Sequence, residues 1–273
     1  MFDAHNHLQD PRFDHCRDTV IAEMQQSGIT RCVVNGTHAR DWSSVASLAN
    51  QYPDLIIPSF GLHPWFVSSE TDKTDWLTQL THHLDAFTQA GIGECGLDRS
   101  PRYKPNIQHQ LKAFTAQLAV AAERNLPLSI HCIQAWGPLL KILESHPLPA
   151  RGFLLHSYSG SAELIPKLTE LGAYFSFSGN LLHDHKEKAR RIFQAVPTDR
   201  LLAETDAPNM RPPTQAINPT AHPLHPPVNH PANLPNIIAE ACQYLNTSHL
   251  SENFLRLFQA THETKNKSSN QDM

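Results

Sequence analysis

The chain has 273 residues, 18% of them charged, with a formal net charge of −4 and an isoelectric point near 6.5. That balance offers a polyanion no global attraction, which argues against a protein that coats duplex nucleic acid but not against a nuclease holding its substrate through local cations or metal. The length suits two average domains or one α/β barrel, and composition does not choose between them.

Taken in chain order, eight short runs rich in apolar and β-branched residues read as strands: FDAHNHL (2–8), RCVVNGT (31–37), IIPSFGLH (56–63), GIGECGLD (91–98), LPLSIHCI (126–133), GFLLHSYS (152–159), AYFSFSG (173–179) and LLAETDAP (201–208). Between them lie segments with helical spacing, such as Trp76, Leu77, Leu80 and Leu84, or Ile107, Leu111, Phe114 and Leu118. Each presents one apolar stripe of core residues. Gly28 and Gly172 fall where helices should end, and Ser161 stands where one should begin. Strands that are near-continuous apolar runs alternating with helices predict a parallel sheet covered on its outer face, and a single (β/α)8 TIM barrel closes it most economically. Residues 207–235 carry nine of the 21 prolines and no regular period, so an ordered loop or lid over the end of strand 8 is expected there. The barrel domain is expected over 1–259, and the tail 260–273, ETKNKSSNQDM and the residues before it, reads as disordered.

Barrel strands should be apolar, so ionisable residues at their C-terminal ends are informative. They are His5 and His7 on strand 1, Glu94 on strand 4, His131 on strand 5, His156 on strand 6 and Asp206 on strand 8. Active sites of this fold are built on that face, so six metal-competent side chains from five strands ring one mouth. His5 and His7, two apart on a strand, share a face. A glutamate between glycines in an apolar strand is an expensive burial without a cation or other partner. The nitrogen and oxygen donors suit Zn, Mn, Ni or Mg, and two divalent ions bridged by Glu94 are the natural count. Cys95 and Cys132, as strand neighbours of Glu94 and His131, should face the opposite side.

With DAHNHL, GLHPW, GECGLD, LPLSIHC, HSYSG and LLAETDAP in this order, and with NHPANLP and SENFLRLF after them, the sequence resembles the TatD family of metal-dependent hydrolases, within the amidohydrolase-like barrels. The resemblance runs from residue 1 to about 259. It implies His5, His7, Glu94, His131, His156 and Asp206 as metal ligands, and divalent-metal-dependent hydrolysis of phosphodiester bonds in DNA, sometimes RNA, of a 3'-5' exonuclease-like kind. This chain departs from many relatives at Ile133, where they carry a basic residue, at Asn229, His230 and Pro231, where they have Asn-Glu-Pro, and at Arg99, Ser100, Pro101, Arg102 and Tyr103, where they have an aromatic run. The departures leave the implied ligands intact and bear on the substrate.

For catalysis, Asp206 is the expected general base, with Glu94 at the metals; Glu204, two residues earlier on the same face, either orients a ligand or forms a buried structural ion pair. His63 is the expected donor to substrate phosphates, with Arg102, Lys104 and Arg211 as loop cations whose ordinary reading is a solvated surface charge. Trp65 and Tyr158 read as rim packing rather than base stacking. An ester or amide substrate such as aminoacyl-tRNA is the competing enzymatic reading, and a non-catalytic protein collecting ions on His82, His83, His222 and His225 is a third. No apolar run is long enough to span a bilayer, and the N-terminus lacks the basic and apolar regions of a signal peptide. With five cysteines in no paired spacing, a soluble, unexported, cytoplasmic protein with single-stranded DNA or another phosphodiester as substrate, and no obligatory protein partner, is expected.

Overall fold

The computed structural model describes residues 1–224 and 226–259; the expected tail and His225 lie outside them. All eight predicted runs form strands: β1 (Phe2–Asn6), β2 (Arg31–Asn35), β3 (Ile56–Phe60), β4 (Gly91–Asp98), β5 (Leu128–Ile133), β6 (Phe153–Leu155), β7 (Ala173–Phe177) and β8 (Leu201–Ala203). They pair in parallel in chain order from β1 to β8, as a right-handed βα rhythm requires. The helices between them are α1 (Arg17–Gln26), α2 (Trp42–Gln51), α3 (Trp76–Ala86), α4 (Ile107–Arg124), α5 (Trp136–Ser145), α6 (Ile165–Glu170) and α7 (Glu187–Phe193), followed by α8 (Leu234–Ala241) and α9 (Leu250–Phe258).

Two cores follow from the strands being buried on both faces. The outer one lies between strands and helices and includes Cys32, Val34, Ile92, Cys95, Leu97, Ile130, Phe153 and Phe175. The inner one fills the barrel with Ala4, Val33, Ile57, Leu154, Tyr174 and Leu202, and Phe254, Leu257 and Phe258 of α9 plug it from below. Phe2, at the start of β1, stacks on Phe254 at 4.7 Å, and Asn253 donates to the carbonyls of Thr198 and Leu201 at the start of β8. The N-terminal end of the barrel is therefore sealed, and the C-terminal end is left for polar groups.

The barrel closes through the residues that continue β8. Asp206 N donates to His5 O at 2.9 Å and His7 N to Ala207 O at 2.8 Å. Beneath them the buried Asp3 carboxylate accepts from Thr205 N and Oγ1, His5 N and Asn6 Nδ2. Burial pushes that carboxyl up to about 7 in spite of its four donors.

Helical stripes came out as the spacing predicts, with one correction. Phe114, Leu118, Leu80 and Leu84 are buried, but Leu77 is exposed, because it is the second residue of α3 and turns away from the stripe that faces β3. Gly28 and Gly172 follow α1 and α6 with φ of +89° and +94°, where a side chain would be strained. Ser161 does precede a turn, the 3₁₀ segment Ala162–Leu164, but its hydroxyl makes no capping bond. In the proline-rich segment, short 3₁₀ turns at Thr214–Ala216 and Pro231–Asn233 interrupt the loop. Asn218 N donates to Asn233 Oδ1, and His222 N donates to Glu23 on α1, which ties the loop to the barrel wall. Among the described residues no helix is long and apolar enough to cross a membrane.

If Asp3 is the clasp of this closure, Asp3→Ala strands the donors of Thr205 in a dry interior and should lower unfolding free energy by about 2 kcal/mol. Urea or guanidinium unfolding, followed by circular dichroism, measures it.

Candidate metal centre

Two of the strands that carry the predicted ligands break register where the ligand sits. In β4 the pairing to β5 shifts between Ile92 and Cys95; both of these face the outer core, so Gly93 and Glu94 occupy the irregularity and Glu94 turns inward. In β1 the shift falls between Asp3 and Asn6. Ala4 packs in the inner core, and beyond it His5 and His7 both reach Glu94. A bulge re-aims a side chain that strict alternation would misplace. Gly93 and Gly96, with φ of +155° and +138°, allow this path, and a Cβ on Gly96 would stand 2.0 Å from the carbonyl oxygen of His131.

The six predicted ligands converge, and His63 joins them. Glu94 Oε1 lies 3.0 Å from His63 Nε2, 3.0 Å from His131 Nδ1 and 2.8 Å from His156 Nε2; Glu94 Oε2 lies 3.3 Å from His7 Nε2 and 3.4 Å from His5 Nε2. Asp206 Oδ1 is 3.3 Å from His7 Nε2 and 3.9 Å from His5 Nε2. Three sets of three ligand atoms lie close enough to share an ion: His5, His7 and Asp206; His5, Glu94 and His156; His63, Glu94 and His131.

The outer contacts of each ring decide which nitrogen faces the centre with a lone pair. His7 Nδ1 meets the carbonyl of Asn35 at 2.8 Å, so it carries a proton. His131 Nε2 meets Asp98 Oδ2 at 3.2 Å, and His156 Nδ1 has Glu204 Oε1 3.4 Å away, without hydrogen-bond alignment. In neutral rings with those tautomers, the inner nitrogens present lone pairs to the Glu94 and Asp206 oxygens, a repulsive arrangement unless a positive charge lies between. His63 is the exception. Its Nδ1 accepts from Trp65 N at 3.1 Å, so its proton is on Nε2 and donates to Glu94.

Ionisation follows the same division. Against the penalty of burial, the Glu94 and Asp206 carboxylates hold His7 well above the usual imidazole range, Asp98 and Glu94 raise His131, and Glu94 and Glu204 hold His156 well above it. Burial lowers His5, and lowers His63 to about 4. Burial also opposes the Glu94 charge, but the imidazoles around it keep its carboxyl well below the ordinary range. The inner nitrogens of His7, His131 and His156 thus attract cationic charge. Asp206 Oδ1, which faces the inner nitrogens of His5 and His7, is buried with no hydrogen-bond partner, as a ligand atom of a divalent ion would be.

Glu204 lies under the ring of His156, fully buried, and accepts from Ser157 Oγ at 2.6 Å and from Ser176 Oγ. Cys95 and Cys132 sit in the outer core, away from the centre. The expected loop cations do not line the two cavities that meet the centre: Arg102 lies over the Tyr103 ring, Lys104 is exposed, and exposed Arg211 offers its carbonyl to His183. Instead Arg12, Arg17 and Arg40 line a cavity of about 540 Å³ that opens onto His7, His63, Glu94 and Asp206. A second cavity of about 840 Å³, walled by Trp136, Phe177 and Phe193, meets the centre at His131 and His156. Asp98, which braces His131, is not among the residues expected at the site, although its place as the last residue of β4 signals it. Arg40 is signalled only by the loop after β2 opening on the same mouth. His82, His83 and His222 join none of the ligand sets.

The TatD related DNase family model matches residues 2–259. Similar proteins include the 3'-5' ssDNA/RNA exonuclease TatD of Dickeya dadantii, 33% identical over 248 residues, covering 89% of this chain and 90% of that one. The exonuclease of the same name from Pectobacterium carotovorum is 30% identical over 247 residues, covering 89% and 91%. Among solved structures, the TatD homologue YJJV of Escherichia coli superposes with a TM-score of 0.83 at 25% identity, covering 96% of this chain and 98% of that one. The phosphotriesterase homology protein of Escherichia coli shares the fold, with a TM-score of 0.67 at 15% identity, covering 94% and 98%.

Gly96→Ala should lower stability by about 3 kcal/mol or more, because both the backbone angle and the His131 carbonyl exclude a methyl group. Gly137→Ala on α5, where the added carbon meets nothing within 4 Å, is the control and should be neutral or slightly stabilising in the same denaturation measurement.

Proposed function

The chain belongs to the TatD related DNase family and is a metal-dependent hydrolase of phosphodiester bonds, and from that premise we propose that it acts as a 3'-5' exonuclease on single-stranded DNA or RNA with two divalent ions. The observation that carries the reading is the Glu94 carboxylate surrounded by imidazoles whose inner nitrogens call for a cation. His5, His7 and Asp206 would hold one ion, and Glu94, His131 and His156 would supply the ligands of the other. When bound, divalent ions at these donors supply an activated water and neutralise charge on the phosphoryl oxygens.

The chain's own groups then have separate tasks. Asp206 accepts the proton of the attacking water as the water oxygen bonds to phosphorus; the phosphorus–oxygen bond to the leaving sugar breaks, and the leaving oxygen takes a proton from solvent. His63 Nε2–H steadies the Glu94 anion, which makes it a positioning group rather than the phosphate donor that its place after β3 suggested. Glu204 positions the His156 ring from below. Arg40, exposed on the cavity wall, is the cation nearest in role to the phosphate contact expected of Arg102, Lys104 and Arg211. All five cysteines are free, which suits a reducing cytoplasm.

Elemental analysis of the purified protein should give two divalent ions per chain, and release of mononucleotides from single-stranded DNA should stop with chelator and return with Mg or Mn. Asp206→Asn should lower kcat by about 100-fold or more, the worth of a general base, with the fold retained. Glu204→Gln should weaken metal affinity by about 10- to 100-fold, the usual effect of loosening a ligand's support. A protein that takes up metal yet releases no nucleotide, while turning over aminoacyl esters or simple amides, would replace this reading with the ester or amide one.

A further inference from the structure

Trp65 and Phe66 are each 46% exposed, side by side on the wall of the arginine-lined cavity. Rim packing, the expectation for Trp65 and Tyr158, holds only for Tyr158, which is buried against Trp136 and Phe175. Leaving two adjacent aromatic rings in water forgoes burial that the fold obtains from most of its other aromatic residues.

Nor are these rings loose. His63 caps the 3₁₀ turn Pro64–Phe66 through its Nδ1, so the imidazole that donates to Glu94 also sets the turn. The indole Nε1 of Trp65 donates to Asp98 Oδ2 at 2.7 Å, the oxygen that also meets His131. Tyr103 stacks on Trp65 at 5.2 Å with planes 10° apart, and the Arg102 guanidinium lies 5.2 Å over Tyr103. His38 lies 4.5 Å from Phe66. An indole clamped at its edge and backed by a second ring is preorganised for stacking, with little side-chain entropy left to lose. On the same cavity Arg40 forms no ion pair among the described residues, whereas Arg12 is held by Asp10.

We propose that Trp65, backed by Tyr103 and Arg102 and flanked by Phe66, is the platform on which a base of single-stranded nucleic acid stacks beside the phosphate held at the centre. This inference rests on the phosphodiesterase reading. It gives Arg102 a task as the end of a stack and leaves the backbone contact to Arg40.

The test is binding of a labelled short phosphorothioate oligothymidylate, which resists turnover, to the metal-loaded full chain, followed by anisotropy, with tryptophan emission read in parallel. The wild type should bind with quenched emission. Trp65→Ala should weaken binding by about 5- to 100-fold, the worth of a base–aromatic stack, while Trp65→Phe, which keeps a ring and loses the bond to Asp98, should stay within about threefold. Tyr103→Ala should shift binding in the same direction as Trp65→Ala, and circular dichroism checks that each variant is folded. Binding by Trp65→Ala equal to wild type, or a loss in Trp65→Phe as large as in Trp65→Ala, overturns the platform, as does a wild type that binds no oligothymidylate. Nucleotide release by the metal-loaded wild type separates the two claims: release with no effect of Trp65 on binding leaves the catalytic reading standing alone, and ring-dependent binding with no release under any divalent ion leaves only the platform.

Discussion

One buried carboxylate organises this molecule. Glu94 has five imidazole nitrogens within 3.4 Å, in a barrel mouth that water scarcely reaches. An isolated carboxylate there would be costly by several kcal/mol. Positive charge from protons or metal ions at the facing nitrogens offsets that penalty, and most local oddities of the structure serve to bring those nitrogens in. The bulge in β4 turns Glu94 inward, the glycines beside it let β5 approach, and the bulge in β1 aims His5 and His7 at the same point.

The rest of the barrel separates stability from chemistry along its axis. At the N-terminal end, aromatic residues of α9 seal an apolar interior, so the strands need no ligand to pack. At the C-terminal end, apolar packing gives way to polar oxygens, each bracing a ring: the carboxylates of Asp98 on His131 and Glu204 beneath His156, and the Asn35 carbonyl on His7. The closure between β1 and the residues after β8 joins the two ends of the chain's functional set. Asp206 bonds to the backbone of His5, and its left-handed φ of +51° is held by that bond and by Asn209, which donates to its carbonyl.

Two cavities approach this centre from different sides, one lined by arginines and exposed aromatic rings, the other mainly apolar. A metal cluster alone does not choose a substrate. Its surroundings are asymmetric: arginines and exposed aromatic rings lie on one side, and a larger, mainly apolar space on the other.

Much of this was legible in the residues. Eight apolar runs, each ending in polar or ionisable groups, specify strands and their functional ends because hydrophobic patterning acts locally and survives any detail of packing. The convergent set of ionisable side chains was legible for the same reason, since such residues in apolar strands stand out wherever the barrel places them. What the chain did not disclose was direction and reach. Alternation alone does not announce the bulges at Asp3–Asn6 and Ile92–Cys95. Arg102 and Lys104 look equivalent to Arg40 as loop cations until the loops take their paths, and Trp65 looks like packing until its neighbours leave it half in water. Local sequence determined which residues are polar, apolar or metal-competent, because those are properties of single side chains and short periods. Only the tertiary structure decided which of them meet, because strand register, loop path and the tautomer of each imidazole depend on partners far away in the chain.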